Sequence, residues 1–466
     1  MGLFLSVLYL VTHYLTPQSI FGPLAEARVE LIVAVLVLLI SLLPLTKSFT
    51  LKTPQSLALI GLAFAVFVSV FIETHWPGGA VQSFLLFIPN AFAYFVICLH
   101  CNSRKKLQVV VLMLLFVCLF VIVQGSIALH HGVPVAPRHN PAMELDALPT
   151  EATTIPYLLA MRDDSGEMIF RLKGLGEIND PNDFGQLIVC VVPLVFIFWR
   201  SKKAFWNLLF VVAPVCLLLY GMFLTHSRGA LLALIAVAVV AARRRVGTLP
   251  ALFVAGAVFA AAMALHFTGG RGISAESGLD RTALWGEGLQ ILKSHPFFGV
   301  GISAMPNYTD SHLTAHNSVV VCAAELGLFG LYFWSLFLLP TLRDALAAAS
   351  PEKLSEAEQR APEANPFSPM TSEIAVVDKA EINRLGQLMV LSLTGFLVAG
   401  WFLSRAFIMT LFLLGGMVEV VYQMALERGM IAPRMRLGRV IPYAGGLAAA
   451  LVLMMYLMLR VLNLAR

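Results

Sequence analysis

Apolar runs of about 17–25 residues recur along the whole chain, the length that crosses a bilayer as an α-helix. Inside lipid the backbone must satisfy its own hydrogen bonds, which leaves helices or closed barrels. A barrel is excluded, because its strands alternate apolar and polar residues and show no long apolar run. Of 466 residues, 59% are hydrophobic and only 13% charged, against about 25% charged in soluble domains. The expected fold is an all-α polytopic membrane protein, a single transmembrane domain over 1–466.

Spans are expected near 3–16, 29–46, 55–73, 80–99, 107–128, 184–199, 204–224, 228–242, 249–268, 316–340, 385–402, 405–424 and 440–461, about 12–13 helices. The basic loops TKSFTLK (46–52), NSRKK (102–106), WRSKK (199–203), ARRRVG (242–247) and RGMIAPRMRLGR (428–439) fall on one side if each span crosses once. The positive-inside rule makes that side cytoplasmic, with the N-terminus inside and the C-terminus outside. Loops 129–183 and 269–315 then lie outside, each expected to carry a short amphipathic helix. Loop 341–384 lies inside, and its Pro, Glu, Ser and Ala content reads as a flexible linker.

The net charge of +5 follows from the cytoplasmic loops, and no basic tract with interleaved aromatics suggests nucleic acid. Cys98, Cys101, Cys118, Cys190, Cys216 and Cys322 lie mostly in apolar segments and read as small hydrophobes. Cys98 and Cys101 form a lone CxxC with no second ligand pair. The N-terminal stretch has no basic n-region or clear cleavage site and reads as a retained first helix.

Charges in so apolar a chain need reasons. In FRLKGLGEINDPNDF (170–184), Asp180 suits a helix N-cap, Pro181 the first helical position, and Asp183 the first turn, with Asn182 between them. Capping leaves Arg171 unexplained: it pairs with Glu177 or Asp180, meets lipid headgroups, or faces an anion. In FLTHSRGALLAL (223–234), Ser227 is an expected N-cap and Arg228 sits in the first turn. Arginine beside a helix N-terminus makes an anion pocket, the alternative being interfacial anchoring. In GLDRTALWGEGLQILKSHPFFGVG (278–301), Leu284, Trp285, Leu289 and Leu292 share one face of a short helix, Asp280 is the expected N-cap and Arg281 its first residue. In AHNSVVVCAAELGLFG (315–330), His316 opens a membrane helix. Eleven residues are about three turns, so Gly327 is expected on the face of His316 and Glu325 on the opposite one. His316 is either a packing residue or a base able to take a hydroxyl proton.

RLKGLGEINDPNDF, LTHSRGALLAL, DRTALW…HPFFGVG and AHNSVVVCAAELGLFGL together resemble the O-antigen ligase/polymerase family of bacterial envelope enzymes, over about 160–335. His316, ten residues and Gly327 match its histidine–glycine motif. Its arginine motif places a leucine four positions on, where this chain has Trp285 after Arg281. The resemblance implies a metal-independent, inverting glycosyltransferase in the bacterial inner membrane, its active site facing the periplasm. The implied donor is a glycan on a polyprenyl diphosphate; the acceptor is a hydroxyl of lipid A–core or of another glycan. Arg171, Arg228 and Arg281 are then expected at the diphosphate, His316, Arg171 and Arg281 in catalysis, and Asp180, Pro181, Asn182 and Gly327 in support, with no metal, cofactor or nucleic acid. The three site residues are expected around one outward cavity. A polymerase extending lipid-linked repeats is the alternative, a protein O-glycosylating relative a variant of it. A lipid-linked oligosaccharide flippase is the rival from another class, although no transporter-type internal repeat is evident. A cell-wall glycan polymerase shares the donor but no close motif.

Overall fold

The computed structural model describes residues 1–17, 23, 28–47, 52–130, 157–162, 168–264, 275–350 and 372–461. Among the described residues the chain is all-α apart from one hairpin. Its helices are α1 (Gly2–Leu15), α2 (Val29–Lys47), α3 (Pro54–Thr74), α4 (Pro77–His100), α5 (Arg104–His130), α6 (Pro181–Val195), α7 (Ala204–Thr225, with a π turn at Leu208–Val212), α8 (Arg228–Val246), α9 (Thr248–Ala264), α10 (Ala275–Ser294), α11 (Ser318–Ala348), α12 (Ser372–Gly400), α13 (Met409–Glu427) and α14 (Leu437–Val461). Among the described residues nine helices are long and apolar enough to cross a membrane: α3–α7 and α11–α14. Gly2–Leu15, Val29–Leu42 and Thr248–Ala260 are shorter apolar helices. Each of the thirteen expected spans falls on one of these helices or on α8. The chain is a multi-pass membrane protein.

Local chemistry sets many helix starts. Thr53 caps α3 by accepting the Ser56 N–H, and proline occupies the first turn of α3, α4 and α6. Of loop 129–183, residues 131–156 and 163–167 lie outside the described residues, and with them the ground on which the expected short helix could be checked; the described part is an antiparallel hairpin, β1 (Leu158–Arg162) against β2 (Met168–Leu172), then a 3-10 turn at Gly176–Ile178. Cross-strand pairs between LLAMR and MIFRL hold the hairpin together. In the segment 341–384, α11 runs on to Ala348 and α12 begins at Ser372, while 351–371 lies outside the described residues.

The chain divides into two compact units. The first comprises Met1–Leu38, Gln108–Ser274 and Thr394–Ala399. Its centre is α6, whose residues are buried except Asn182, packed on α7 and α8. The second comprises Leu39–Leu107, Ala275–Leu393 and Gly400–Arg466. Its centre is α11, packed on α3, α10, α13 and α14.

Helix α11 is broken, which corrects the expectation that His316 and Gly327 share a helix face. Gly327 has φ 65° and ψ −166°, a conformation open essentially to glycine alone. An unbroken helix would bond the Leu328 and Phe329 N–H groups to the Ala324 and Glu325 carbonyls. Instead Leu328 and Phe329 donate to the Pro296 and Phe297 carbonyls at 2.8 and 3.0 Å. The Ala324 and Glu325 carbonyls accept from Val300 and Gly301 at 3.1 and 2.9 Å. The segment HPFFGVG is thus spliced into the helix's own hydrogen-bond ladder. Close approach demands glycine on both sides. A Cβ on Gly299 would lie 2.4 Å from Glu325 backbone atoms, and one on Gly327 2.4 Å from those of Phe297.

Gly327→Ala and Gly299→Ala are expected to lower the melting temperature of the detergent-solubilised protein. The backbone conformation at Gly327 alone accounts for about 1–3 kcal/mol. Gly256→Ala, where a Cβ meets no atom within 4 Å, should leave it unchanged.

Candidate active site

Within the second unit, three segments meet around His316: helix α10, the start of α11, and the loop 401–408 between α12 and α13. Helix α10 begins at Ala275, so Asp280 and Arg281 lie inside it and neither the cap nor the first position falls on them. Trp285, one turn after Arg281 on the same face, donates its indole N–H to the Ala315 carbonyl at 2.8 Å. Its ring meets Trp401 edge to face at 5.9 Å. The tryptophan at the family's leucine position therefore ties Arg281's helix to the residue before His316.

His316 itself lies just outside α11, and Asn317 is the cap, its Oδ1 accepting the Val319 and Val320 N–H groups. His316 is half-buried and has φ 48°, a left-handed conformation uncommon outside glycine and enriched where structure is built for function. Its surroundings hold it there. The His316 N–H donates to Ser404 Oγ at 2.9 Å, and Ser404 Oγ donates to Thr314 Oγ1 at 2.7 Å. Asn317 Nδ2 donates to the Trp401 carbonyl, Ser318 Oγ to the Leu403 carbonyl, and the Arg405 N–H to Ser318 Oγ. Sequence reasoning missed this 401–408 loop. Its signal was Ser404-Arg405 between apolar spans, the same Ser-Arg pair already noted at Ser227-Arg228.

Glu325 ties α11 to the loop before His316. It is buried, and its carboxylate accepts the backbone N–H groups of Ser303 and Met305, which anchors the loop before His316. Beside that loop, Tyr308 donates to Glu73, and His295 Nε2 lies 3.6 Å from the other Glu73 oxygen. Burial, with the Glu73 carboxylate beside it, pushes the Tyr308 phenol up to about 12.

Arg171 and Arg228 belong to the first unit. Asp180 caps α6 by accepting the Asn182 N–H at 2.8 Å, Pro181 is the first helical residue and Asp183 lies in the first turn, as expected. Arg171, on β2, is only 4% exposed. Its Nε donates to the Thr225 carbonyl at 2.8 Å and its Nη2 to Asn182 Oδ1 at 3.0 Å. Ser227 Oγ donates to the same Asn182 oxygen at 2.9 Å. Arg171 thus clasps the α6 start to the turn that carries Arg228, where Ser227 caps α8. Glu177 lies 3.7 Å from His13 Nε2.

Residues 213–335 match a family model described as O-antigen ligase. Over that stretch the chain is similar to the O-antigen ligases. The match runs from within α7 to the middle of α11 and takes in Arg228, Arg281, Trp285, Gly299, His316 and Gly327. It supports the resemblance to the O-antigen ligase/polymerase family and a membrane enzyme that handles lipid-linked glycans. No curated protein matches the chain. Among the described residues no group of three or more His, Cys, Asp or Glu is placed to hold a metal ion.

Arg171→Lys should lower the melting temperature, since one ammonium cannot reproduce the planar fork to Thr225 and Asn182. The expected loss is about 1.5–3 kcal/mol, the scale of a hydrogen bond to a charged group. Glu73→Gln should bring the Tyr308 phenol down towards its ordinary value of 10.0. Absorbance titration against a Tyr308→Phe control reads this directly: the Tyr308 component should ionise at lower pH than in the wild type.

Proposed function

We propose that the protein is an O-antigen ligase-like glycosyltransferase that moves a glycan from a polyprenyl diphosphate to an acceptor hydroxyl. The observation that carries the reading is His316, held in a left-handed conformation beside the Arg281–Trp285 helix, inside the segment that matches the O-antigen ligase family. The acceptor oxygen attacks the anomeric carbon from the face opposite the diphosphate. The carbon–oxygen bond to the diphosphate breaks, and the polyprenyl diphosphate leaves with the electron pair. His316 takes the hydroxyl proton, and Arg281 meets the charge that develops on the leaving group. Attack from the opposite face inverts the anomeric centre.

The arginines of the first unit enter as separate proposals. Arg228, in the first turn of α8, adds charge and a helix N-terminus for the diphosphate. Arg171 acts as a positioning residue, because its Nε and Nη2 already hold the turn that presents Arg228. The site faces the periplasm on this reading, since the basic loops lie on the opposite side from 269–315.

The test is transfer by purified protein in nanodiscs, offered a polyprenyl-diphosphate oligosaccharide with and without lipid A–core, with and without chelator. Sugar on lipid A–core, insensitive to chelator, is the expected result. His316→Ala should lose about 10²–10⁴-fold, the share of a general base, and Arg281→Ala about 10²–10³-fold. Longer chains on the carrier without added acceptor would make the protein a polymerase. Donor movement across a vesicle bilayer with no transfer under any pairing would overturn the enzyme reading.

A further inference from the structure

At the end of α11 remote from His316, the second unit holds a polar cluster that the transfer reaction does not use. It joins Gln55 in the first turn of α3, Asp344 near the end of α11, Glu419 on α13 and Arg434 in the segment before α14. Gln55 and Asp344 are 0% exposed and Glu419 3%. Two carboxylates face one guanidinium, so the ionised cluster would bury a net negative charge, which is costly unless neutralised.

The two carboxylates are bound differently. Glu419 meets Arg434 with both oxygens, Oε1 accepting from Nη1 at 3.1 Å and Oε2 from Nη2. Gln423 Nε2 adds a donor to Oε1 at 2.7 Å. This is the two-point fork expected of an ionised carboxylate. Asp344 accepts through one oxygen alone. Its Oδ2 takes Arg434 Nε at 2.8 Å, Gln55 Nε2 at 2.9 Å, and lies 2.7 Å from Arg434 Nη2. Its Oδ1 is buried without a hydrogen-bond partner, and so is Gln55 Oε1. The two unpartnered oxygens thus belong to the two residues already joined through their other ends. A carboxylic acid and a primary amide satisfy each other in this pattern: the amide N–H donates to one acid oxygen, and the acid O–H donates back to the amide oxygen.

We propose that Asp344 is a proton-binding site, its proton carried on Oδ1 and held by Gln55 Oε1, while Glu419 remains the ionised partner of Arg434. One proton gives both unpartnered oxygens a bond and makes the cluster neutral. The other groups around it fit this division. The Arg434 guanidinium stacks on Tyr422 at 4.2 Å, and the Tyr422 hydroxyl donates to the Ala432 carbonyl at 3.0 Å. Arg343 lies near Tyr422, and Tyr94 and Cys98 lie near Glu419. None of these supplies a donor to Asp344 Oδ1. Proton binding therefore fastens the α3 start to the α11 end. Loss of the proton would set two acceptor oxygens against each other and leave a second negative charge on a single guanidinium.

Two measurements on the full-length protein test this at neutral pH. Asp344→Asn replaces the acid with a group that can make the same two bonds to Gln55 and still accept from Arg434. It should melt at the wild-type temperature, whereas Glu419→Gln should melt lower. Infrared spectra of the wild type should show a carboxylic-acid carbonyl band that shifts in deuterium oxide, disappears in Asp344→Asn and persists in Glu419→Gln. On raising the pH, the wild type should lose thermal stability relative to Asp344→Asn, because the bound proton is lost. A wild-type spectrum with no acid band dependent on Asp344 would overturn the proposal. So would an Asp344→Asn protein that melts as low as Glu419→Gln or fails to fold.

Discussion

A helix that breaks inside a bilayer frees backbone groups that lipid cannot satisfy, at several kcal/mol for each one left bare. In α11 the break at Gly327 frees two carbonyls and two N–H groups, and residues 296–301 supply all four partners. That exchange fixes the end of α10 and the start of the 302–317 loop to the middle of a membrane helix. The buried Glu325 carboxylate extends the hold by taking the Ser303 and Met305 N–H groups. His316 then lies between two fixed points, the splice behind it and the Asn317 cap ahead of it. The left-handed backbone at His316 is tolerated because Thr314, Ser404 and Trp285 hold the chain on either side.

The same logic separates positioning from chemistry among the charged residues. Arg171 reads in sequence as an anion ligand, and in the structure two of its donor atoms meet Thr225 and Asn182, which ties it to the Ser227–Arg228 turn. Arg434 spends its fork on Glu419 and Asp344. Arg281 and His316, the pair proposed for group transfer, each lie beside an anchored neighbour: Trp285, bonded to Ala315, one turn from Arg281, and Ser404, which accepts the His316 N–H.

Much of this was legible in the sequence. Length and apolarity placed the nine long apolar helices of the described residues, because those features follow from the thickness of the bilayer. Capping chemistry gave Asp180, Pro181 and Ser227 their roles, because it is decided within a few residues. Motif order singles out His316 and Arg281, the residues proposed for transfer. What could not be read was set by contacts distant in sequence. The α11 break depends on a segment some thirty residues upstream of Gly327 taking over its hydrogen bonds, and a 3.6-residue period cannot register that. The 401–408 loop contributes mainly hydroxyls and carbonyls, groups any loop possesses. The hairpin that carries Arg171 rests on pairing between two short strands, with too few residues for periodicity to separate strand from helix.

The splice at Gly327 is the claim on which the site depends, and amide hydrogen exchange on the intact protein in nanodiscs reads it most directly. If HPFFGVG closes the ladder, the Leu328 and Phe329 amides should exchange as slowly as those of the buried α11 residues around Trp334. Exchange of these two amides as fast as that of the exposed 310–313 loop would mean that the break is open, and would contradict the account.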